Sequence, residues 1–499
     1  MPCAAQNRRR SIIPVAIFWL TLAGIMLLPA ASSARPKLRA SPTDAKEVVA
    51  AISLRTLLDT VVLGPAATYD QLGLRAGAVV LSFYTQRNFT PAWTHPDSGW
   101  TRPATQALTL LRRAPEFGLN PHAYSWELLL ALPDSLHRPT TTTGIGSLEN
   151  FELRLTDALL RYATHLRYGQ LEPFTNTLAA QSGPSAQQCV GLLQAALSNP
   201  DFTAAFLRCQ PTSQAYRHLQ QAWRNTLPPD SLQADSLGPA QGNAADFRRV
   251  ALNLERLRWD VTRPDTGAYA LVNITSYMLQ IIDKGRVVQS HRVVVGKPET
   301  PTPTLDSRIN VFMTSPDWRV PYSIAVGEIL PELRDDPSFL ADNNYRLFDY
   351  RKRPVNPWNV RWSRVRSETF PYTIRQSAGR SNALGNIVFY FANQHAIYQH
   401  DTPARAMFRE PRRARSHGCI RVEKPLDLAA YLLRRESQQG ALPDMRRSIA
   451  THSKCRYDLA QGLPIRIRYT TCEAQNGKLR FYPDIYCLDE ALAAALTLP

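Results

Sequence analysis

Three residues in the last quarter of the chain could do chemistry together. Cys419 stands in the run Ser416-His417-Gly418-Cys419-Ile420-Arg421, and His400 lies nineteen positions before it in Tyr398-Gln399-His400-Asp401. A thiol attacks a carbonyl only as thiolate, so a nucleophilic cysteine needs a neighbouring imidazole to take its proton. Glycine directly before the cysteine lets a substrate backbone come close. It also leaves the amides of Gly418 and Cys419 free to face a developing oxyanion. Either histidine can be the base; His417, beside Gly418, equally suits shaping the loop, which favours His400 for proton transfer. The pattern is that of a cysteine acyl-transfer site.

Taken alone, a cysteine is more often a small buried hydrophobe or half a disulfide, and a histidine a hydrogen-bonded core residue. Two histidines and a cysteine also suit a metal. Structural zinc, however, brings paired elements such as Cys-x-x-Cys, which are missing here, so no metal is expected. Arg421 can bind a substrate carboxylate or pin the loop through backbone carbonyls, two readings that stay level. Tyr398, Asn382 and Arg375 are further candidates for substrate contact.

These residues need a scaffold that changes period. Val388 to Phe391 and Ala396 to His400 read as strands, and alternation puts Tyr398 and His400 on one face. Upstream, a helix capped by Asp246 carries the stripe Phe247, Val250, Ala251, Leu254 and Leu257. The pattern then turns strand-like over Ala268 to Ile274, Ser276 to Ile282 and Arg286 to Val295, with a turn at Asp283-Lys284-Gly285. After a helix from Pro425 to Arg434, the residues Leu463 to Tyr469, Asn476-Gly477 and Lys478 to Tyr482 suggest a hairpin, and Leu488 to Leu496 a last helix.

The segment from Asn382 to Asp427, with Gly385, Asn386, Tyr398, His400, Phe408, Arg409, Arg413 and the SHGCIRV run, closely resembles the L,D-transpeptidases. Their YkuD-type catalytic domain carries a histidine about fifteen residues before a Ser/Thr-His-Gly-Cys motif, and residues 401 to 415 give that spacing here. Residues Phe83 to Trp93 and Gly118 to Tyr124 are similar to the helical scaffold domain of the larger periplasmic members. The resemblance implies an α+β chain: a helical N-terminal scaffold domain, then a β-rich YkuD-type catalytic domain with a capping insertion. It also implies Cys419 as nucleophile, no cofactor, peptidoglycan stem peptides as substrate, carbapenem β-lactams as acylating inhibitors, and 3→3 cross-links as product. An L,D-carboxypeptidase, a transpeptidase attaching a protein to the wall, and a non-catalytic wall-binding scaffold are the alternatives. The small peptidoglycan-binding insert of large members has no room between Arg224 and Asp246.

Organisation follows. Residues 1–34 combine Arg8-Arg9-Arg10, an apolar run from Ile12 to Leu28 and small residues to Ala34, an export signal or a retained membrane anchor. A periplasmic or envelope location is expected. Helical patterning occupies 45–226, interrupted near 132–147; a linker is expected at 227–245, the catalytic domain at 246–440 with its cap at about 317–380, and a C-terminal unit at 441–499. Past the signal, six cysteines remain: Cys189 with Cys209 is the natural local pair, the sequence does not choose among Cys455, Cys472 and Cys487, and an all-reduced chain stays open. The net charge of +17 over 499 residues points to a polyanionic partner. Nucleic acid is not expected of an exported chain without a binding motif.

Overall fold

The structure, a computed structural model, describes residues 42–63, 74–95, 99–130, 148–173, 184–227, 244–260 and 267–496. The expected export signal and most of both expected linkers lie outside the described residues. No helix among the described residues is long and apolar enough to cross a membrane.

The N-terminal part is helical: α1 (Pro42–Leu63), α2 (Gly77–Gln86), α3 (Arg102–Arg112), α4 (Leu148–Tyr168), α5 (Pro184–Leu197) and α6 (Gln214–Arg224). Caps set the starts. Thr101 accepts from the Ala104 amide and Ser213 from the Tyr216 amide. Helix α4 is buried over most of its circumference, as a central helix must be, and stops at Gly169, whose φ of +97° suits glycine. Inside it, the Glu152 carboxylate accepts from the amides of Ala92, Trp93 and Thr94 and from the Tyr84 hydroxyl, so its burial is compensated. Cys189 and Cys209 lie here as free buried thiols, not a disulfide; burial and the neighbouring Cys189 push the Cys209 thiol up to about 12.

Helix α7 (Ala244–Arg258) joins this part to the sheet. It starts at Ala244, so Asp246 sits in the first turn rather than at the cap, where its charge still favours the helix dipole. The fully buried Arg258 reaches from α7 to the carbonyls of Phe117 and Leu166 and to the Tyr216 hydroxyl. One turn earlier, Glu255 accepts from the amides of Gln170 and Leu171, just past the end of α4.

The C-terminal part is a closed sheet. Strands β1 (Ala268–Asn273), β2 (Met278–Asp283), β3 (Arg286–Gly296) and β4 (Leu305–Thr314) are followed by the cap strands β5 (Trp318–Arg319), β6 (Tyr345–Phe348), β7 (Pro354–Val355) and β8 (Thr373–Gln376). Then come β9 (Ile387–Phe391), β10 (Gln399–His400), β11 (Ala414–Ser416), β12 (Ile420–Val422) and β13 (Cys455–Arg468). The order β11-β3-β12-β10-β9-β4-β13-β1-β2 closes because β2 also pairs with β3, which leaves few free edges. The β2–β3 turn uses Lys284 and Gly285, both at positive φ, as expected for a two-residue hairpin. A core of Val272, Ile281, Val293, Phe312, Phe389, Ile420, Ile465 and their neighbours fills the interior. Helix α8 (Pro425–Arg435) covers it through Leu428, Leu432 and Leu433.

The C-terminal hairpin differs from expectation. Residues 463–468 do not pair with 478–482; they belong to the long β13, which lies between β4 and β1. The Asn476-Gly477 turn instead joins two short strands, β14 (Cys472–Gln475) and β15 (Lys478–Phe481). The alternating Leu463, Ile465 and Ile467, buried on a strand flanked on both sides, decided the fate of 463–468, not turn chemistry. The last helix, α9 (Leu488–Ala495), packs Leu492 and Ala493 against Leu252 of α7.

Between β4 and β9 the chain leaves the barrel and returns. Its ends are neighbours: Thr314 is in register with Ile387, and the Ser315 amide donates to the Asn386 carbonyl. The excursion forms its own four-stranded sheet, β5-β8-β6-β7, with its own core around Leu330, Leu333, Leu347 and Ile374. That sheet was not foreseen from its Pro-rich composition.

Candidate active site

Strands β10 and β12 run parallel side by side, and this pair builds the site. Gln399 is in register with Ile420 and His400 with Arg421, and the Ile420 amide donates to the Tyr398 carbonyl. Since faces alternate, Gln399 and Ile420 turn into the core. Tyr398, His400, Cys419 and Arg421 therefore share the opposite face. The parallel register, with Cys419 just before β12, brings together four of the eight expected residues.

Each member is held from behind. The His400 Nδ1 is 2.5 Å from the Asp401 carbonyl oxygen, which makes Nδ1 the protonated nitrogen and leaves Nε2 as the basic one. The Asp401 carboxylate is itself gripped, by the amides of Asn386 and Thr402 and by Arg405. Gly385, at a φ of +60°, packs on that carboxylate so closely that a Cβ would stand 2.5–2.6 Å from its atoms. Thus the NALGN segment fixes the His400 ring through Asp401, an arrangement the sequence did not reveal.

The Cys419 thiol has the backbone and the hydroxyl of Tyr398 as neighbours, and both favour its ionised form. The Tyr398 hydroxyl also neighbours Trp318 on β5, and burial holds it well above the usual phenol range. The rings of Tyr398 and His400 lie 5.7 Å apart. Burial, and then the positive charge of Arg421, push the His400 imidazolium down to about 3, while the Asp401 carbonyl offsets part of this. Burial also pushes the Cys419 thiol up, against the pull of Tyr398 and Arg421. Both shifts favour the uncharged forms, thiol and imidazole, over thiolate with imidazolium. Alkylation of Cys419 by iodoacetamide should accordingly keep rising with pH through the alkaline range. A rate plateau near pH 6 would instead reveal a preformed ion pair.

Arg421 does not pin the loop. One Nη is 2.9 Å from the Met407 sulfur, and its buried Nε has no hydrogen-bond partner among the described residues. The loop before Cys419 is fixed by others: the Thr302 hydroxyl donates to the Gly418 carbonyl at 2.8 Å, and the Lys297 amide to the Ser416 carbonyl. Gly418 has a φ of +105°, which only glycine adopts readily. Its amide donates to the Ser416 hydroxyl at 3.2 Å, so in this state it is engaged within the loop rather than facing outward. His417 points to the cap, its Nε2 2.6 Å from Glu328.

Two expected contacts are not brought to this face. Asn382 is fully buried and braces its own loop, donating to the carbonyls of Pro316 and Ser377 while accepting from the Leu384 amide. Arg375 pairs with Arg319 across the cap sheet and lies over Phe348, on the face opposite Trp318. Of the basic residues near the motif, Arg405 is tied to Asp401 and Arg415 to Glu410, and Arg413 donates to backbone carbonyls. Gln399, buried with neither side-chain polar atom bonded, has no role that its surroundings explain.

The YkuD family, described as the L,D-transpeptidase catalytic domain, matches residues 267–443, and a Scaffold domain family matches residues 78–222. A curated Haemophilus influenzae protein named "Putative L,D-transpeptidase" is 34% identical over 250 residues, which cover 50% of this chain and 49% of that protein. The match thus spans about half the length of that relative. Among solved structures, an L,D-transpeptidase from Mycobacterium smegmatis is similar at 14% identity with a TM-score of 0.18, over 41% of this chain and 60% of its own. Mycobacterium tuberculosis L,D-transpeptidase 1 gives 12% identity and a TM-score of 0.16, over 40% and 61%. At such scores neither superposition places a residue. The chain carries an L,D-transpeptidase catalytic domain of the YkuD type, with a scaffold domain before it.

Proposed function

We propose that this protein is a peptidoglycan L,D-transpeptidase of the cell envelope that forms 3→3 cross-links through a Cys419 thioacyl intermediate. The observation that carries the reading is the shared face of β10 and β12, where Tyr398, His400, Cys419 and Arg421 meet beneath the cap. A donor tetrapeptide enters with its terminal carboxylate toward Arg421, the cation with an unpartnered Nε. His400 Nε2 takes the thiol proton as sulfur attacks the carbonyl between the third residue and the terminal D-Ala. The Cys419 amide and the Tyr398 hydroxyl are the donors assigned to the oxyanion, with Gly418 joining if its amide is released from Ser416. D-Ala leaves with the proton from His400. The side-chain amine of an acceptor stem, at a diaminopimelate, then displaces the sulfur. Carbapenems acylate the same sulfur.

Intact-mass spectrometry with disaccharide-tetrapeptide, and separately with meropenem, tests this. An acyl adduct and a cross-linked dimer are expected; an adduct with only hydrolysed product means a carboxypeptidase, and no adduct means a scaffold. For Arg421→Leu, loss of a charged hydrogen-bond donor should lower kcat/KM with the donor roughly 10–100-fold, mostly through KM. Unchanged KM in steady-state assays would remove Arg421 from carboxylate binding.

A further inference from the structure

Glu328 is a carboxylate that the cap presents to this site, and nothing in the acylation step uses it. It lies in Ala325–Ile329, a turn wider than an α-helical one inserted in an otherwise α-helical run from Tyr322 to Asp335. Such insertions re-aim a side chain and recur at functional sites. Here the re-aimed side chain meets His417, two residues from the nucleophile, at 2.6 Å. Its charge is also felt by Arg421 and by the Tyr345 hydroxyl, so His417, Arg421 and Tyr345 are the titratable or charged groups facing it. Side-chain exposures of 54% for Glu328 and 34% for His417 leave the pair open to solvent and to an incoming group.

Resting on the transpeptidase reading, we infer that Glu328, together with His417, receives the ammonium group of the acyl acceptor and takes its proton before attack. The acceptor is then an amine-bearing peptide, and the need for a carboxylate is electrostatic. Arg405 and Arg415 are offset by Asp401 and Glu410, but Arg421 stands on the Cys419 face and repels a cation unless a carboxylate such as Glu328 is beside it. His400, which is buried, is engaged in returning a proton to sulfur, so the first proton of the ammonium needs a second acceptor open to solvent. In the step, R–NH3+ gives one proton to the His417–Glu328 pair, which releases it to solvent. The free amine attacks the thioester carbonyl, the C–N bond forms and the C–S bond breaks. Sulfur leaves with the bonding electrons, and the second proton lost by nitrogen returns to it through His400. The products are the amide, the Cys419 thiol and one proton.

The two half-reactions can be read apart in the full-length protein. Glu328→Gln and Glu328→Asp are compared with wild type for adduct formation with tetrapeptide by intact mass, and for the partition of that adduct between an acceptor tetrapeptide and water. In Glu328→Gln the aminolysis-to-hydrolysis ratio should fall at least about 10-fold relative to wild type. Its aminolysis profile should also shift to higher pH, where free amine is present without help, and Asp should restore part of both. Equal losses in acylation and aminolysis would overturn the inference in favour of a cap-positioning contact. An unchanged ratio would overturn it in favour of a solvated ion pair of small worth. If wild type forms an adduct and transfers it to amines, only the role of Glu328 is at stake. If wild type forms no adduct, the transpeptidase reading fails and takes this inference with it.

Discussion

Cys419→Ala removes both the acyl adduct and the cross-linked product, while His400→Ala retains a trace of adduct formation that grows with pH. The two losses differ because the two residues do different work. No other atom on the β10–β12 face can form the thioester, so alanine at position 419 leaves binding without chemistry. Without His400 the sulfur keeps its neighbour Tyr398 and the nearby charge of Arg421. Solvent hydroxide can then ionise it slowly, and the expected loss at neutral pH is about 10²–10⁴-fold, the usual worth of a positioned base. Because burial raises the thiol and depresses the imidazole, the His400→Ala deficit should shrink as pH rises toward the thiol's own ionisation. Stopped-flow acylation by a chromogenic carbapenem, followed from pH 6 to 10, measures this. A deficit that stays constant over that range would assign His400 to positioning rather than proton transfer.

Arg258→Ala should destabilise the protein more than any exposed substitution, by about 3–5 kcal/mol, the range found when one partner of a buried ion pair is removed. The guanidinium is fully buried and bridges α7 to the 3-10 turn Ala114–Phe117 and to the last turn of α4 through the carbonyls of Phe117 and Leu166. Its removal strands those acceptors and leaves the Glu255 carboxylate, 3.6 Å away, without its counter-charge. Glu255→Gln should cost less, since an amide oxygen still accepts from Gln170 and Leu171. Urea denaturation followed by tryptophan fluorescence tests both variants. Equal midpoints for Arg258→Ala and wild type would mean that water replaces the guanidinium in that cavity. Activity of the folded variant is expected to survive, because Arg258 contacts nothing on the Cys419 face.

The candidate site was readable where spacing is local. That Tyr398 and His400 share a face follows from a period of two; the motif singles out Cys419, but only the β10–β12 register puts it on that face. Asp401 and Glu328 were hidden for opposite reasons. Asp401 acts through its main-chain oxygen, and a carbonyl carries no sequence signature. Glu328 lies 89 positions before His417, with no periodicity linking them, and only the cap's tertiary placement joins them. Asn382 and Arg375 show the converse error, polar residues near a motif whose bonds serve the loop and the cap sheet. In the fold, the β1–β3 meander and α7 were readable from turn residues and the apolar stripe. The cap sheet was not, because its strands of two to four residues are too short to display alternation.

The neighbouring ends of the cap have an evolutionary and practical meaning. An excursion whose first and last residues share a hydrogen bond, Ser315 to Asn386, behaves as a cassette. It can lengthen, shrink or be exchanged without altering the register of β4 against β9, so barrel stability and substrate choice are free to change separately. Closing the gap needs only a tight turn, of the kind that joins β2 to β3 with Lys284 and Gly285. Chimaeras that carry foreign caps on this barrel should therefore fold, and would sort the contributions of cap and barrel to acceptor choice.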